Sequence, residues 1–310
     1  MTGEISRRDL LKHFGGLISL LMLPSLSCGG QSQVIKGSPP GYDLREEFDT
    51  SWINLNQNVI RVAKDGSKDF TSVQAATDSI KGNERDNQYT IEVYPGLYEE
   101  QVTIPNYTHL VGRDKDAVKL LGDFSGHNSL FDSAVVRSRN GLHVSVSNLT
   151  IENPGRKNPS LALYIGVGNK TDRSYVHDLR LFGGQDTVVI GDTLMERSYV
   201  KGSSDVVNLY NEVLFRDCVV EGKGTEEAFF VGNGGRFWVE YCQISDPAGF
   251  LRFKTKGATL YLRSNTLHSG WRMKVIDWES RKGNKVYFSG NNFDENMHGS
   301  AIRFDKIYSR

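Results

Sequence analysis

The chain has 310 residues, in which 37 Lys plus Arg are balanced by 37 Asp plus Glu. Zero net charge removes the basic footprint of a nucleic-acid binder, so an acidic partner has to be met through local positive charge. Thirty-two glycines against eight prolines suit a turn-rich β architecture better than a helical bundle.

"SRRDLLK" (Ser6 to Lys12) runs into "FGGLISLLMLPSL" and then into small residues. A charged start, a short apolar centre and a small-residue end predict an export signal over residues 1–28, too short to remain as a membrane span in the mature chain. The Arg7-Arg8 pair, flanked by Ser, Leu, Leu and Lys, resembles a bacterial twin-arginine signal, with an ordinary basic leader as the alternative. "LPSLSCGG" raises lipid attachment at Cys28, but Ser25 stands where that processing box has Leu. A lipid anchor and plain secretion to the periplasm or beyond both stay open. Residues 29–59, rich in Gly, Ser, Gln and Pro over the first twenty or so positions, read as a tether to a domain over 60–310. Only Cys218 and Cys242 remain in the mature chain, too few for a disulfide scaffold. The seven histidines are scattered, so neither a metal site nor a cofactor is expected.

Beyond residue 60 one pattern recurs: a polar residue, alternating apolar positions, then a turn. It appears in "SNLTIEN" at 147, "HDLRLFGG" at 177, "RSYVKGSSD" at 197 and "RDCVVEGKG" at 216. It continues in "EYCQISDP" at 240, "RSNTLHSG" at 263 and "GNNFDENM" at 290. Starts 19 to 30 residues apart fit a solenoid, in which each repeat buries its apolar side only against its neighbours. Period-two strands without Asn-Gly hairpin turns predict an all-β fold, parallel strands wound into a single-stranded β-helix, rather than a sandwich. "TSVQAATDSI" (Thr71 to Ile80) is the one helical stretch after the leader and is expected to cap the N-terminal end of the core. Cys218 and Cys242 then fall on neighbouring coils at about strand spacing. That is within disulfide reach, although stacked free thiols also pack well as small apolar residues.

Five stretches in order resemble the pectin methylesterase family. They are "VAKDGSKDFTSVQAATDSI" from Val62, "IEVYPGLYEEQVTIP" from Ile91, "LTIEN" from Leu149, "GGQDTVV" from Gly183 and "VKGSSDVV" from Val200. The resemblance implies a right-handed parallel β-helix and hydrolysis of methyl-esterified galacturonan. It implies that Asp205 is the nucleophile, Asp186 the acid and then the base, and Gln185 an oxyanion donor. Arg252, in "GFLRFKTKGATLYL", stands where the family has its active-site arginine, with Lys201 or Lys254 as the substitute cation. Trp271 matches a tryptophan near the sugar site.

The residues themselves permit a plainer reading. Gln185-Asp186 is also what a hydrogen-bonding corner between strands needs, and Asp205 after Ser203-Ser204 is also a turn residue. Against that, the two aspartates lie 19 residues apart, one coil of the expected solenoid. Carboxylates stacked so closely cannot both ionise cheaply, so one pKa rises and leaves an acid beside a base. The chain departs from the family at Pro159 or Ser160, where a second glutamine belongs and Ser160 is the shorter substitute expected to meet the substrate, and after Asp205, where "DVVNL" replaces an aromatic sequence. Slowed hydrolysis by a monomeric enzyme is expected. The alternatives are a silent β-helix that binds polysaccharide, favoured by the missing glutamine, and a polysaccharide lyase, which needs a calcium-binding carboxylate cluster.

Overall fold

The computed structural model describes residues 33–36, 48–166, 173–224, 228–247, 250–268, 272–278, 285–289, 291–293 and 302–307. The expected leader, with Arg7, Arg8 and Cys28, lies outside the described residues, as does Trp271.

The strands pair in parallel along two sheets of 16 and 9 strands, wound right-handed as parallel crossovers are. The larger sheet supplies two of the three faces of each coil because its long strands bend. Val188–Glu196 pairs with Leu161–Ile165 through its first half and with Ser174–His177 through its second. At the bends the register shifts, between Gly191 and Thr193 and again between Tyr210 and Asn211. Asp192 (φ 47°) and Asn211 (φ 58°) take the left-handed conformation there, and the Asn211 amide donates to Asp192 Oδ2 at 2.7 Å. Short polar side chains tolerate that conformation best among non-glycine residues.

The third face is the nine-stranded sheet, and the recurring sequence pattern marks its entry. Asn148, Asp178, Arg197, Asp217, Tyr241 and Ser264 are all left-handed; Arg197 opens its repeat and the other five sit second in theirs. The amide of each of the first five donates to a carbonyl of the next coil, from Asn148 to His177 through Tyr241 to Arg263. Alternate strand residues point inward, and through the centre Phe230 meets Phe215 edge-on and stacks on Phe253, with ring centroids 5.5 and 5.8 Å apart. Cys218 and Cys242 are free and buried in the same core.

The helix spans Val73–Asp78, slightly inside its expected bounds, and buries Val73, Ala76 and Thr77. Ser72 caps it by accepting from the Ala75 amide, and Glu100 accepts from the amides of Val73 and Gln74, both at 2.9 Å. Part of the expected tether is docked. Gln33–Lys36 adds a parallel strand to Lys285–Ser289. Phe48 meets Trp238 edge-on beside Leu194 and Leu214, and Trp52 stacks on His143 at 4.6 Å. Composition had pointed to flexibility; two aromatic anchors bury apolar surface regardless.

Candidate active site

Two corners of successive coils meet at one place. Gly183 to Thr187 joins the strand Arg180–Phe182 to Val188–Glu196, and Ser203 to Val206 joins Tyr199–Gly202 to Val207–Arg216. Gln185 forms a parallel bridge with Ser204. The Asp186 amide donates to the Ser204 carbonyl at 2.9 Å, and the Ser203 amide to the Gly184 carbonyl at 3.1 Å. Asp186 (φ 60°) and Asp205 (φ 46°) are both left-handed, so the same backbone bend is repeated one coil apart. Gly202 allows the close approach: a Cβ there would stand 2.1 Å from Thr187 Oγ1. Gln185 and Asp186 therefore do form a corner, and the corner carries a carboxyl group to the neighbouring aspartate.

The two carboxyl groups have different surroundings. Asp186 is 8% exposed, and its pKa is pushed up to about 6, first by burial and then by the charge of Asp205. A hydrogen bond from Asn208 and the charge of Lys254 act in the opposite direction. Asp205 Oδ1 lies 2.6 Å from Lys254 Nζ, with side chains 20% and 11% exposed. A protonable acid thus stands beside a carboxylate with its own cation, the polarised pair that acid–base chemistry requires.

Lys254 comes from the strand Phe250–Arg263, where it pairs with Val231, itself the partner of Asn208. Arg252 lies two residues earlier, in register with Ala228 and Lys274; its side chain is outside the described residues. The described cation on Asp205 is the reserve candidate Lys254, whereas Lys201 pairs with Glu221 at 3.1 Å. Ser160 stacks beneath the first corner, its amide donating to the Gln185 carbonyl at 2.9 Å. Its side chain is fully buried, and its hydroxyl donates inward to the Asn153 carbonyl at 3.3 Å.

Asn208 was missed by sequence reasoning. Its Nδ2 donates to Asp186 Oδ1 at 2.7 Å and to the Asp205 carbonyl at 2.9 Å. The available clue was a lone amide three residues after Asp205, in a row whose neighbours are Val189 and Val231. Tyr164 and Tyr210 form an apolar wall nearby, against Ala134, Leu161 and Val189. The Tyr210 phenol is held neutral by burial, with smaller contributions from Tyr164 and Asp186. Among the described residues, no group of three or more His, Cys, Asp or Glu side chains is gathered as a metal site.

A family model described as Pectinesterase matches residues 59–240. The chain belongs to the pectinesterase family. The match takes in both corners and Asn208, and ends before Arg252 and Lys254. Among curated relatives, probable pectinesterase 56 of Arabidopsis thaliana is 30% identical over 172 residues, 52% of this chain and 57% of that protein. Pectinesterase 2 of Olea europaea is 26% identical over 266 residues, 81% of this chain and 70% of that one. The chain spans little more than half the length of several of the Arabidopsis pectinesterases it matches. Two solved structures share the fold at 16% identity. The Escherichia coli YbhC structure has a TM-score of 0.66 over 90% of this chain and 99% of its own. Pectin methylesterase from carrot has a TM-score of 0.62 over 83% and 90%.

Proposed function

We propose that this pectinesterase-family protein is an exported carboxylic-ester hydrolase that removes methyl groups from esterified galacturonan. The observation that carries the reading is the stacked pair Asp186 and Asp205, one with its pKa near 6 and the other held by Lys254 at 2.6 Å. Asp205, ionised beside its lysine, attacks the ester carbonyl carbon, and the carbonyl electrons move to an oxyanion that the Gln185 amide stabilises. Collapse of that intermediate breaks the bond to methoxide, which leaves as methanol with the proton of Asp186. The acyl group remains on Asp205 as an anhydride. Asp186, now a carboxylate, takes a proton from water, and the hydroxide attacks the anhydride. This frees the polymer carboxylate and restores both aspartates.

The inward hydroxyl of Ser160 favours slow turnover, because each absent oxyanion donor typically costs about 10²–10³ in rate. The same observation supports the rival reading of a polysaccharide-binding β-helix without catalysis. Methanol release from methylated galacturonan separates the two. The native chain should release methanol and Asp205→Asn should not; equal background release from both would leave the binding reading in place.

A further inference from the structure

Asn208 ties the two carboxyl-bearing corners together through one amide group. It is buried to 5% exposure, on the strand Val207–Arg216, where its partners across the sheet are Val189 and Val231. An amide buried between two valines needs hydrogen bonds to offset its desolvation, and both hydrogens of Nδ2 are used. One goes to Asp186 Oδ1 at 2.7 Å and the other to the Asp205 main-chain carbonyl at 2.9 Å. The opposite amide orientation would set the Asn208 oxygen against the Asp205 carbonyl, which can only accept. The direction of donation is therefore fixed by the neighbours.

We infer that Asn208 is a positioning residue for ester hydrolysis: it locks the Asp186 carboxyl against the Asp205 corner and confines the exchangeable proton of Asp186 to Oδ2. Oδ1 is already occupied as an acceptor, so the atom that gives and takes the proton is the other oxygen. Once Asp186 has released that proton, the Asn208 bond becomes charge-assisted and stronger. The amide thus stabilises the carboxylate that forms as methanol leaves. It counters burial and the charge of Asp205, which favour the protonated form, and acts in the same direction as Lys254. Tyr210 also faces this carboxyl electrostatically, as a neutral phenol.

The catalytic meaning of this arrangement rests on the hydrolase reading, but its physical effect is measurable without turnover. The experiment compares the native chain with Asn208→Leu, and with Asn208→Ser should the leucine variant fail to fold. The Asp186 carboxyl is titrated by carbon-13 NMR, and kcat/KM for methanol release is followed against pH. Losing a hydrogen bond to the charged form should raise the Asp186 midpoint by about one unit. The high-pH limb, where the protonated acid is lost, should move up by the same amount, and kcat should fall about tenfold with little change in KM. A variant that loses rate with no movement of either midpoint has only a structural defect, and the inference is overturned. If the native chain releases no methanol at any pH while the Asp186 midpoint still moves, the hydrolase reading fails and the locking of Asp186 stands. If the native chain is active and both midpoints stay put, hydrolysis stands and the role of Asn208 is lost.

Discussion

Replacing Asp186 by asparagine should stabilise the fold at neutral pH and abolish the proposed ester hydrolysis. The carboxyl is buried with its pKa raised from the ordinary 3.8 to about 6. Between those values the native state holds a proton that the unfolded chain releases. The contribution of this group to stability is therefore fullest below about pH 4 and is lost as pH rises through about 6. A shift of about two units corresponds to about 3 kcal/mol at pH 8, since each unit is about 1.36 kcal/mol. The asparagine carries no charge at any pH and still offers Asn208 an acceptor oxygen, so it escapes that loss. Thermal midpoints of the two proteins at about pH 4, 6 and 8 provide the assay. The variant should gain several degrees at the highest pH and little or nothing at the lowest. Comparing the pair cancels the other carboxylates, such as Glu196 and Asp178, whose lowered pKa values act in the opposite direction. A stability difference of the same size at all three pH values would refute the electrostatic account of this corner.

Two further perturbations address the parts around that pair. Lys254→Met leaves Asp205 without its described cation in a largely buried setting; it should lower stability by up to about 3 kcal/mol and raise the Asp186 midpoint, read by urea unfolding and carboxyl NMR. An unchanged Asp186 midpoint would show that Lys254 does not act on the pair. Gly202→Ala inserts a Cβ at 2.1 Å from Thr187 Oγ1 and 3.1 Å from the Gly184 carbonyl. It should push the two corners apart, costing about 2 kcal/mol or more and most of the methanol release; a neutral result would mean the coils are not closed as tightly as described.

The fold was legible because a solenoid writes its geometry into the sequence at each turn. Six of the seven quoted repeats carry, at their first or second position, a residue that the structure puts in the left-handed conformation, so a turn signal at irregular spacing was a true record of the coils. Gln33–Lys36, Phe48 and Trp52 were harder to read, because their partners lie far away in sequence: Val286, Trp238 and His143 among them. A segment rich in Gly and Ser gives no local hint that it will dock. Lys254 posed the same difficulty. Its bond to Asp205 spans 49 residues, and its strand offers Arg252, Lys254 and Lys256 at alternate positions. The coil-to-coil register, which aligns Lys254 with Val231 and Asn208, is what brings it to the carboxylate.

Residue type alone could not decide whether Gln185-Asp186 was a turn or a site, and the physics of the corner explains why. A β-helix bend requires a left-handed residue, and aspartate and asparagine are among the few side chains that enter that conformation readily. Turn geometry therefore favours at Asp186 and Asp205 the same residue type that ester hydrolysis would require. Stacking successive coils then brings such residues together with no further design. What separates this pair from Asp178 and Asp217, which are also left-handed, is the company it keeps. Asp178 is joined by His177 and Arg197 at the edge of the molecule, where solvent screens the charge. Asp186 is buried against a like charge, with an amide and a lysine that counter the resulting rise only in part. A turn gains nothing from that arrangement, and at neutral pH the fold is weakened by it. A proton-transfer site uses it directly, because a carboxyl whose pKa lies near 6 can both give and take a proton near neutrality.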